Sequence, residues 1–424
     1  MTLIDSAKQG IITNEMKTVA SDEGVTPEFV CRGIANGQIV IPISPYRETK
    51  PIGIGKGLKT KVNASVGTSS DIADVDLEVE KTKVAEASGA DSIMELSTAG
   101  DFYEIRRRIV EATSLSVGSV PLYQAFIEAA RQSGSIVDMR EDDLFRVTEE
   151  QAKLGTNFMA IHTGINWVTL DRLRAQGRHA GLCSRGGALM SAWMAHNEKE
   201  NPLFSEFDYL LEILKRHDVT LSMGNGMRAG AVHDSTDRAQ IQELVINAEL
   251  SDKAHEFGVQ TIVEGPGHIP VDEIQANVVL QKRLTRDKPF YMLGPLVTDI
   301  APGYDNIVAA IGAALSSSYG ADFICYVTPA EHLALPYPED VRLGVISARI
   351  AAHVGDMVKL GSRNDDLKMA QARNELDWAK QFKVAIDPQA AANIRKERMP
   401  SDANTCTMCG EFCAYKIVKE YFEL

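Results

Sequence analysis

Thr261-Ile-Val-Glu-Gly-Pro-Gly-His-Ile-Pro270 contains, in order, the parts on which the fold reading turns. A short apolar run ends on a carboxylate, a loop of glycines and prolines then presents an imidazole, and an amphipathic helix pattern follows. The same order recurs from about residue 56 to about residue 340. Its other apolar runs are Thr60-Lys-Val-Asn63, Ser92-Ile-Met-Glu-Leu96, Val117-Gly-Ser-Val120, Phe158-Met-Ala-Ile-His162, Gly181-Leu-Cys183, Val219-Thr-Leu-Ser222, Phe290-Tyr-Met-Leu293 and Phe323-Ile-Cys-Tyr-Val327. Strands that alternate with helices over such a length imply a parallel sheet. A doubly wound sheet would want a Gly-x-Gly-x-x-Gly turn after its first strand, and that turn is absent. The expected fold is therefore α/β, a (β/α)8 barrel of the TIM type. Nine runs are one more than eight strands require, so at least one of them is not a strand or lies outside the barrel.

Around that barrel, residues 1–55 read as an N-terminal segment of short helices with one strand, Gln38-Ile-Val-Ile-Pro-Ile-Ser44. Residues 56–340 read as the catalytic barrel, and residues 341–424 as C-terminal helices with a terminal arm. Helix is expected from Pro338 to about residue 390, including Ser362 to Phe382, with Pro388 and Pro400 as punctuation. An arm this far past a barrel is expected to fold back over a mouth, its own or a neighbour's.

Composition narrows the function classes. The 424 residues are 44% hydrophobic and 24% charged, as in a globular protein with a large core. A net charge of −14 argues against a general nucleic-acid or anionic-membrane surface. The first residues, Met1 to Gly10, show no basic-then-apolar signal pattern. No apolar run approaches the roughly 18 residues that suggest a membrane span. Of six cysteines, Cys31, Cys183 and Cys325 are isolated, which is no disulfide framework. A cytoplasmic protein with neither nucleic acid nor membrane as partner is the expectation.

In a barrel of this kind, chemistry sits where the strands end. Those ends carry Asn63 and Ser65, Met94 and Glu95, Tyr123, His162, Ser184 and Arg185, Asn225 and Arg228, Glu264 and His268, Tyr291, and Glu331 and His332. Glycine and proline make the loop before His268 a rigid platform, and Thr328-Pro-Ala-Glu-His-Leu333 supplies His332 in the same relation to the last strand. Two neutral imidazoles from neighbouring strand ends suit an open site for zinc or ferrous iron; each alone suits a hydrogen-bonded structural role. Cys183-Ser-Arg-Gly-Gly-Ala188 opens a helix, where backbone amides, the Ser184 hydroxyl and the Arg185 fork suit a phosphate. Ser222 to Gly230 offers a second glycine-rich loop with Arg228. Met94 and Met223 read as packing residues, and Asp299 and Asp305 as helix caps. No Ser–His–Asp, Gly-x-Ser-x-Gly or phosphate-loop pattern is present.

The terminal arm carries Cys406, Cys409 and Cys413 within eight residues. Three thiolates can hold three corners of a 4Fe-4S cluster and leave one iron open, whereas electron-carrier clusters normally take four cysteines. Structural zinc also wants four closed ligands, and Ala414 to Leu424 contains neither histidine nor cysteine to close it. A thioredoxin-like pair expects a strand-to-helix context rather than a chain terminus.

Together these motifs resemble the phosphomethylpyrimidine synthase family of thiamine biosynthesis. The matching runs are Gly67-Thr-Ser-Ser-Asp71, Glu95-Leu-Ser-Thr98, Val120-Pro-Leu-Tyr123, Ser184-Arg-Gly-Gly187, Glu264-Gly-Pro-Gly-His268, Leu293 to Tyr304, Pro329-Ala-Glu-His332 and the cysteine trio. The resemblance implies a radical S-adenosyl-L-methionine enzyme and a homodimer in which the cluster arm covers the partner's barrel mouth. It also implies 5-aminoimidazole ribotide as substrate and an electron donor as a further partner. It assigns Cys406, Cys409 and Cys413 to the 4Fe-4S cluster and His268 and His332 to a mononuclear divalent metal. Met94, Tyr123, His162, Ser184, Arg185, Arg228, Glu264 and Tyr291 would line the ribotide pocket. Two stretches depart from the family pattern. Asn63-Ala-Ser-Val-Gly67 replaces Asn-Ala-Asn-Ile-Gly, and Gly224-Asn-Gly-Met-Arg-Ala-Gly230 replaces Gly-Asp-Gly-Leu-Arg-Pro-Gly. An asparagine cannot accept a proton as an aspartate does at neutral pH. Ser65 and Asn225 are therefore expected to bind substrate and set the product. That places the chain nearer the hydroxybenzimidazole-forming branch of cobalamin lower-ligand biosynthesis than the pyrimidine-forming one.

Overall fold

Eight of the nine apolar runs form one closed parallel barrel in the computed structural model, which describes residues 1–422. Its strands are β1 (Lys61–Val66), β2 (Ser92–Glu95), β3 (Ser116–Ser119), β4 (Phe158–Ile161), β5 (Thr220–Met223), β6 (Thr261–Glu264), β7 (Phe290–Met292) and β8 (Phe323–Cys325). Each pairs with the next, and β8 closes on β1 through the register Cys325↔Asn63. The ninth run, Gly181–Cys183, is a loop. Gly181 adopts a left-handed φ of 61°, and Ser184 caps a helix immediately afterwards, so no extended stretch fits there.

Helices form where a stripe of apolar residues faces the strands. In the helix Phe207–Arg216, Phe207, Leu210, Leu211, Ile213 and Leu214 are buried on one side. Spacings of three and four residues put such side chains on one face. The barrel is plugged rather than hollow. Phe158 and Phe323 meet edge to face at 6.1 Å, and Tyr291 lies 4.3 Å from Phe323. Asn63 bridges this interior, donating to the Tyr291 hydroxyl at 2.8 Å and accepting from Ser92 Oγ at 2.7 Å.

The N-terminal segment has its own apolar cluster beneath the helices Leu3–Lys8, Asn14–Glu23 and Pro27–Ala35. Thr2, Thr13 and Thr26 cap them through their side-chain oxygens. The strand expected at Gln38–Ser44 shortens to Ile39–Val40, paired antiparallel with Ile54–Gly55. After β8 the helix Pro338–Lys359 packs on the helices Asp305–Tyr319 and Val75–Ala87. Residues 1–360 form one compact unit and residues 361–424 a second.

The helical stretch expected from Pro338 onward is broken into Pro338–Lys359, Asn364–Asn374, Trp378–Val384 and Pro388–Glu397. Gly361 and Leu376, both at left-handed φ, end the first two. Among the described residues no helix is long and apolar enough to cross a membrane.

Candidate active site

The carboxyl ends of the strands surround a cavity of about 470 Å³. The expected strand-end residues line it except Asn63, Glu95, Ser184 and Asn225. Ser65 follows Ala64 on β1, Met94 sits on β2 and Glu264 ends β6. Tyr123 lies in the first turn of the helix Pro121–Ser133. His162 directly follows β4, and Tyr291 projects from β7.

One side of the cavity is cationic. Ser184 is the N-cap of the helix Arg185–Asn197, its Oγ accepting from Gly187 N at 3.1 Å. The helix therefore starts at the cavity wall, and Arg185 lies over the Tyr123 ring at 5.0 Å. Arg228 arrives from the loop after β5. That loop presses against the helix start so closely that a Cβ on Gly187 would stand 2.3 Å from Gly226 O. Only glycine permits this approach. Burial and the nearby Arg228 push His162 down to about 3, so its ring is neutral at physiological pH. Its Nε2 lies 3.4 Å from Ser184 Oγ. Glu264 accepts from Ser222 Oγ at 2.8 Å and from Asn225 N at 3.2 Å, while burial raises its carboxyl.

Asn225 points away from the cavity. Its Nδ2 donates to Glu243 Oε2 at 2.9 Å, and the amides of Gly226 and Met227 donate to the same carboxyl at 2.8 Å each. Glu243 and Asn247, four residues apart on the helix Arg238–Phe257, grip the loop; Asn247 donates to Gly224 O. Burial pushes Glu243 up to about 8.

After β6 and β8, His268 and His332 face one another, ring centroids 5.3 Å apart. Each Nδ1 is held by a carboxylate, His268 by Asp299 at 2.7 Å and His332 by Asp305 at 3.3 Å. This is the arrangement by which carboxylates orient metal-binding imidazoles and leave Nε2 for the ion. His332 sits at a left-handed φ of 61°, a conformation that costs a non-glycine residue on the order of 1 kcal/mol. Among the described residues no group of three or more His, Cys, Asp or Glu side chains is placed to hold a metal.

Sequence reasoning placed Asp299 and Asp305 only as helix caps and passed over Glu243, Glu78 and Lys81. The one sequence signal for the aspartates was their position flanking Ile-Ala-Pro-Gly-Tyr304. Glu243 is one charged residue within a 20-residue helix, and nothing nearby in sequence marks it. Cys325, noted only as an isolated thiol, also lines the cavity, 3.6 Å from Ser65 Oγ.

In the second unit, Cys406, Cys409 and Cys413 bracket the short turn Gly410–Phe412. The backbone amides of Cys409 and Met408 point at Cys406 and draw its thiol below the usual range. Cys413 is buried and Cys409 exposed.

The sequence profile of the radical SAM ThiC family matches residues 2–420. Phosphomethylpyrimidine synthase of Methanoculleus marisnigri is 73% identical over 422 residues, covering 100% of both chains. The protein of that name from Methanospirillum hungatei is 70% identical, with 99% of each chain covered. Phosphomethylpyrimidine synthase 1 of Methanosarcina barkeri is 66% identical over 100% of both. These relatives overturn the expectation of a hydroxybenzimidazole-forming enzyme of cobalamin biosynthesis, because full-length relatives this similar carry the pyrimidine name. The expectation that Ser65 and Asn225 steer the chain toward that product loses its premise. Asn225 Nδ2 is engaged by Glu243, while its buried Oδ1 has no partner among the described residues.

Proposed function

Because the chain belongs to the radical SAM ThiC family, we propose that it converts 5-aminoimidazole ribotide to hydroxymethylpyrimidine phosphate, consuming S-adenosylmethionine. The observation that carries the reading is one cavity lined by both a phosphate-type pole and a carboxylate-oriented histidine pair.

The donor sets fit the groups that such an enzyme uses. Cys406, Cys409 and Cys413 are three thiols without a fourth in their segment, which suits a 4Fe-4S cluster with one open iron. His268 and His332, with Nδ1 occupied by Asp299 and Asp305, suit a single zinc or ferrous ion. When bound, the cluster with S-adenosylmethionine supplies a deoxyadenosyl radical, and the protein supplies position and shelter.

Arg185, Arg228 and the amides at the start of the helix Arg185–Asn197 take the ribotide phosphate. Tyr123 braces Arg185 from below through its ring. Neutral His162 and Glu264 offer hydrogen-bond partners to the heterocycle without adding a cation. Met94 and Tyr291 wall the pocket with apolar surface and keep water from the reacting carbons. A homodimer and an external electron donor complete the proposal.

The test is oxygen-free turnover of reconstituted enzyme with S-adenosylmethionine, a reductant and the ribotide. Mass spectrometry is expected to find hydroxymethylpyrimidine phosphate alongside deoxyadenosine. Deoxyadenosine with the ribotide recovered intact would overturn the substrate assignment.

A further inference from the structure

Lys81 lies in the middle of the helix Val75–Ala87, where a lysine would ordinarily turn to solvent. Instead its side chain is 0% exposed and lines the cavity. Glu78, equally buried, stands 2.6 Å from Nζ through Oε1. The other Glu78 oxygen accepts from Gly67 N at 2.6 Å. An ammonium has three donors, yet among the described residues neither Lys81 Nζ nor Glu78 Oε1 makes a hydrogen bond, so charge alone joins the pair. A buried ion pair is costly to desolvate, and unmet donors add to that cost.

The position sharpens the point. The loop Gly67–Ser69 follows β1, and in an eight-stranded ring β1 stands across from β5, whose loop carries Arg228. The cavity therefore has the arginine pole on one wall and the buried Lys81–Glu78 pair across from it. The arginine pole accounts for one anionic group. Beside that pair the cavity wall carries the hydroxyls of Thr68, Ser69 and Thr98. Gly67 takes a φ of 151°, and a Cβ there would stand 2.5 Å from Ser97 N, so the two loops lock together around this wall.

We propose that Lys81 is an oxyanion-binding residue of this cavity, contacting a ligand carboxylate or phosphate from the β1–β2 side. The inference rests on the functional reading above, which brings two anion-bearing ligands to one site. The methionyl carboxylate of S-adenosylmethionine is one source of the oxyanion and the ribotide phosphate the other. Glu78 holds the lysine head in place and ties it to the Gly67 amide. The competing account makes the pair a purely structural tie for the loop.

The experiment measures binding of S-adenosylhomocysteine and of 5-aminoimidazole ribotide separately by calorimetry. It uses the full-length reconstituted enzyme as wild type, Lys81→Met and the double variant Glu78→Gln/Lys81→Met. Lys81→Met leaves Glu78 buried and unpaired, so its stability is expected to drop; the double variant removes both charges and restores it. In both variants one ligand is expected to bind about 10- to 100-fold more weakly while the other is unchanged. Weaker S-adenosylhomocysteine binding identifies the carboxylate, and weaker ribotide binding identifies the phosphate. Wild-type affinity for both ligands in the double variant would overturn the role of Lys81 and leave the functional reading intact. Failure of wild type to bind either ligand would overturn both.

Discussion

Asn225 and Glu243 show how one side chain can answer to its neighbour instead of to the substrate. Glu243 gathers three N–H donors from residues 225–227, and one of them is the Asn225 amide. With burial raising its carboxyl to about 8, native Glu243 binds a proton that the unfolded chain has released above the ordinary pKa of 4.5. The native state then holds more protons than the unfolded one between those values, so stability falls as pH rises through the window. Between pH 6 and pH 8 wild type is expected to lose about 2 kcal/mol from this group, read from urea midpoints. Glu243→Gln, less stable at pH 6, should flatten that slope; an unchanged slope would place the titration elsewhere. His162 acts in the opposite sense, because its depressed value near 3 removes stability as pH falls below about 6.5. At the other wall, Asp299→Asn should weaken divalent-metal binding about 10- to 100-fold, measured by titration against a competing chelator. Unaltered affinity would mean that Asp299 only braces the loop through Val232 N.

At the scale of elements, the barrel is legible in the sequence because buried parallel strands are short apolar runs with polar residues at their carboxyl ends. His162 follows one such strand, Glu264 ends another and His268 stands in the loop after it, so their convergence follows from topology alone. What the sequence hides is support from behind. Glu243 and Lys81 lie mid-helix, and Asp299 and Asp305 lie 31 and 27 residues from the histidines they hold. Local periodicity carries no information about pairs at that separation. The Gly181–Cys183 run misleads for a local reason: three apolar-looking residues before an N-cap leave no length for a strand. The contact between Gly187 and Gly226 tests how two elements share the arginine pole. Gly187→Ala is expected to cost about 1–3 kcal/mol of stability as the Cβ displaces a backbone carbonyl. It should also raise the KM for the ribotide by far more than it lowers kcat, because the helix start and Arg228 separate. Steady-state kinetics with matched thermal melts checks both, and a loss confined to kcat would refute the shared-pole account.

At the scale of the molecule, the cavity and the cysteine trio belong to two compact units. Every residue lining the cavity belongs to residues 1–360, while the thiols belong to residues 361–424. The second unit has few buried apolar side chains and is held by specific contacts instead. Arg395 stacks on Trp378 at 3.6 Å and donates to Thr405 O at 2.9 Å and to Ala403 O. Trp378 Nε1 donates to Asn404 O at 3.2 Å. The three residues before Cys406 are thus pinned by one guanidinium and one indole, and the turn that carries the thiols starts from a fixed point. Arg395→Ala removes the stack and both guanidinium bonds at once. It should lower iron per chain after reconstitution and slow S-adenosylmethionine cleavage, with ribotide affinity at the wild-type value because the cavity lining is untouched. Arg395→Lys keeps the charge without the planar fork, and a partial recovery is expected. Iron assay, deoxyadenosine formation and ribotide calorimetry on the same preparations separate the outcomes. Full iron loading in Arg395→Ala would show that the turn holds its shape without this anchor.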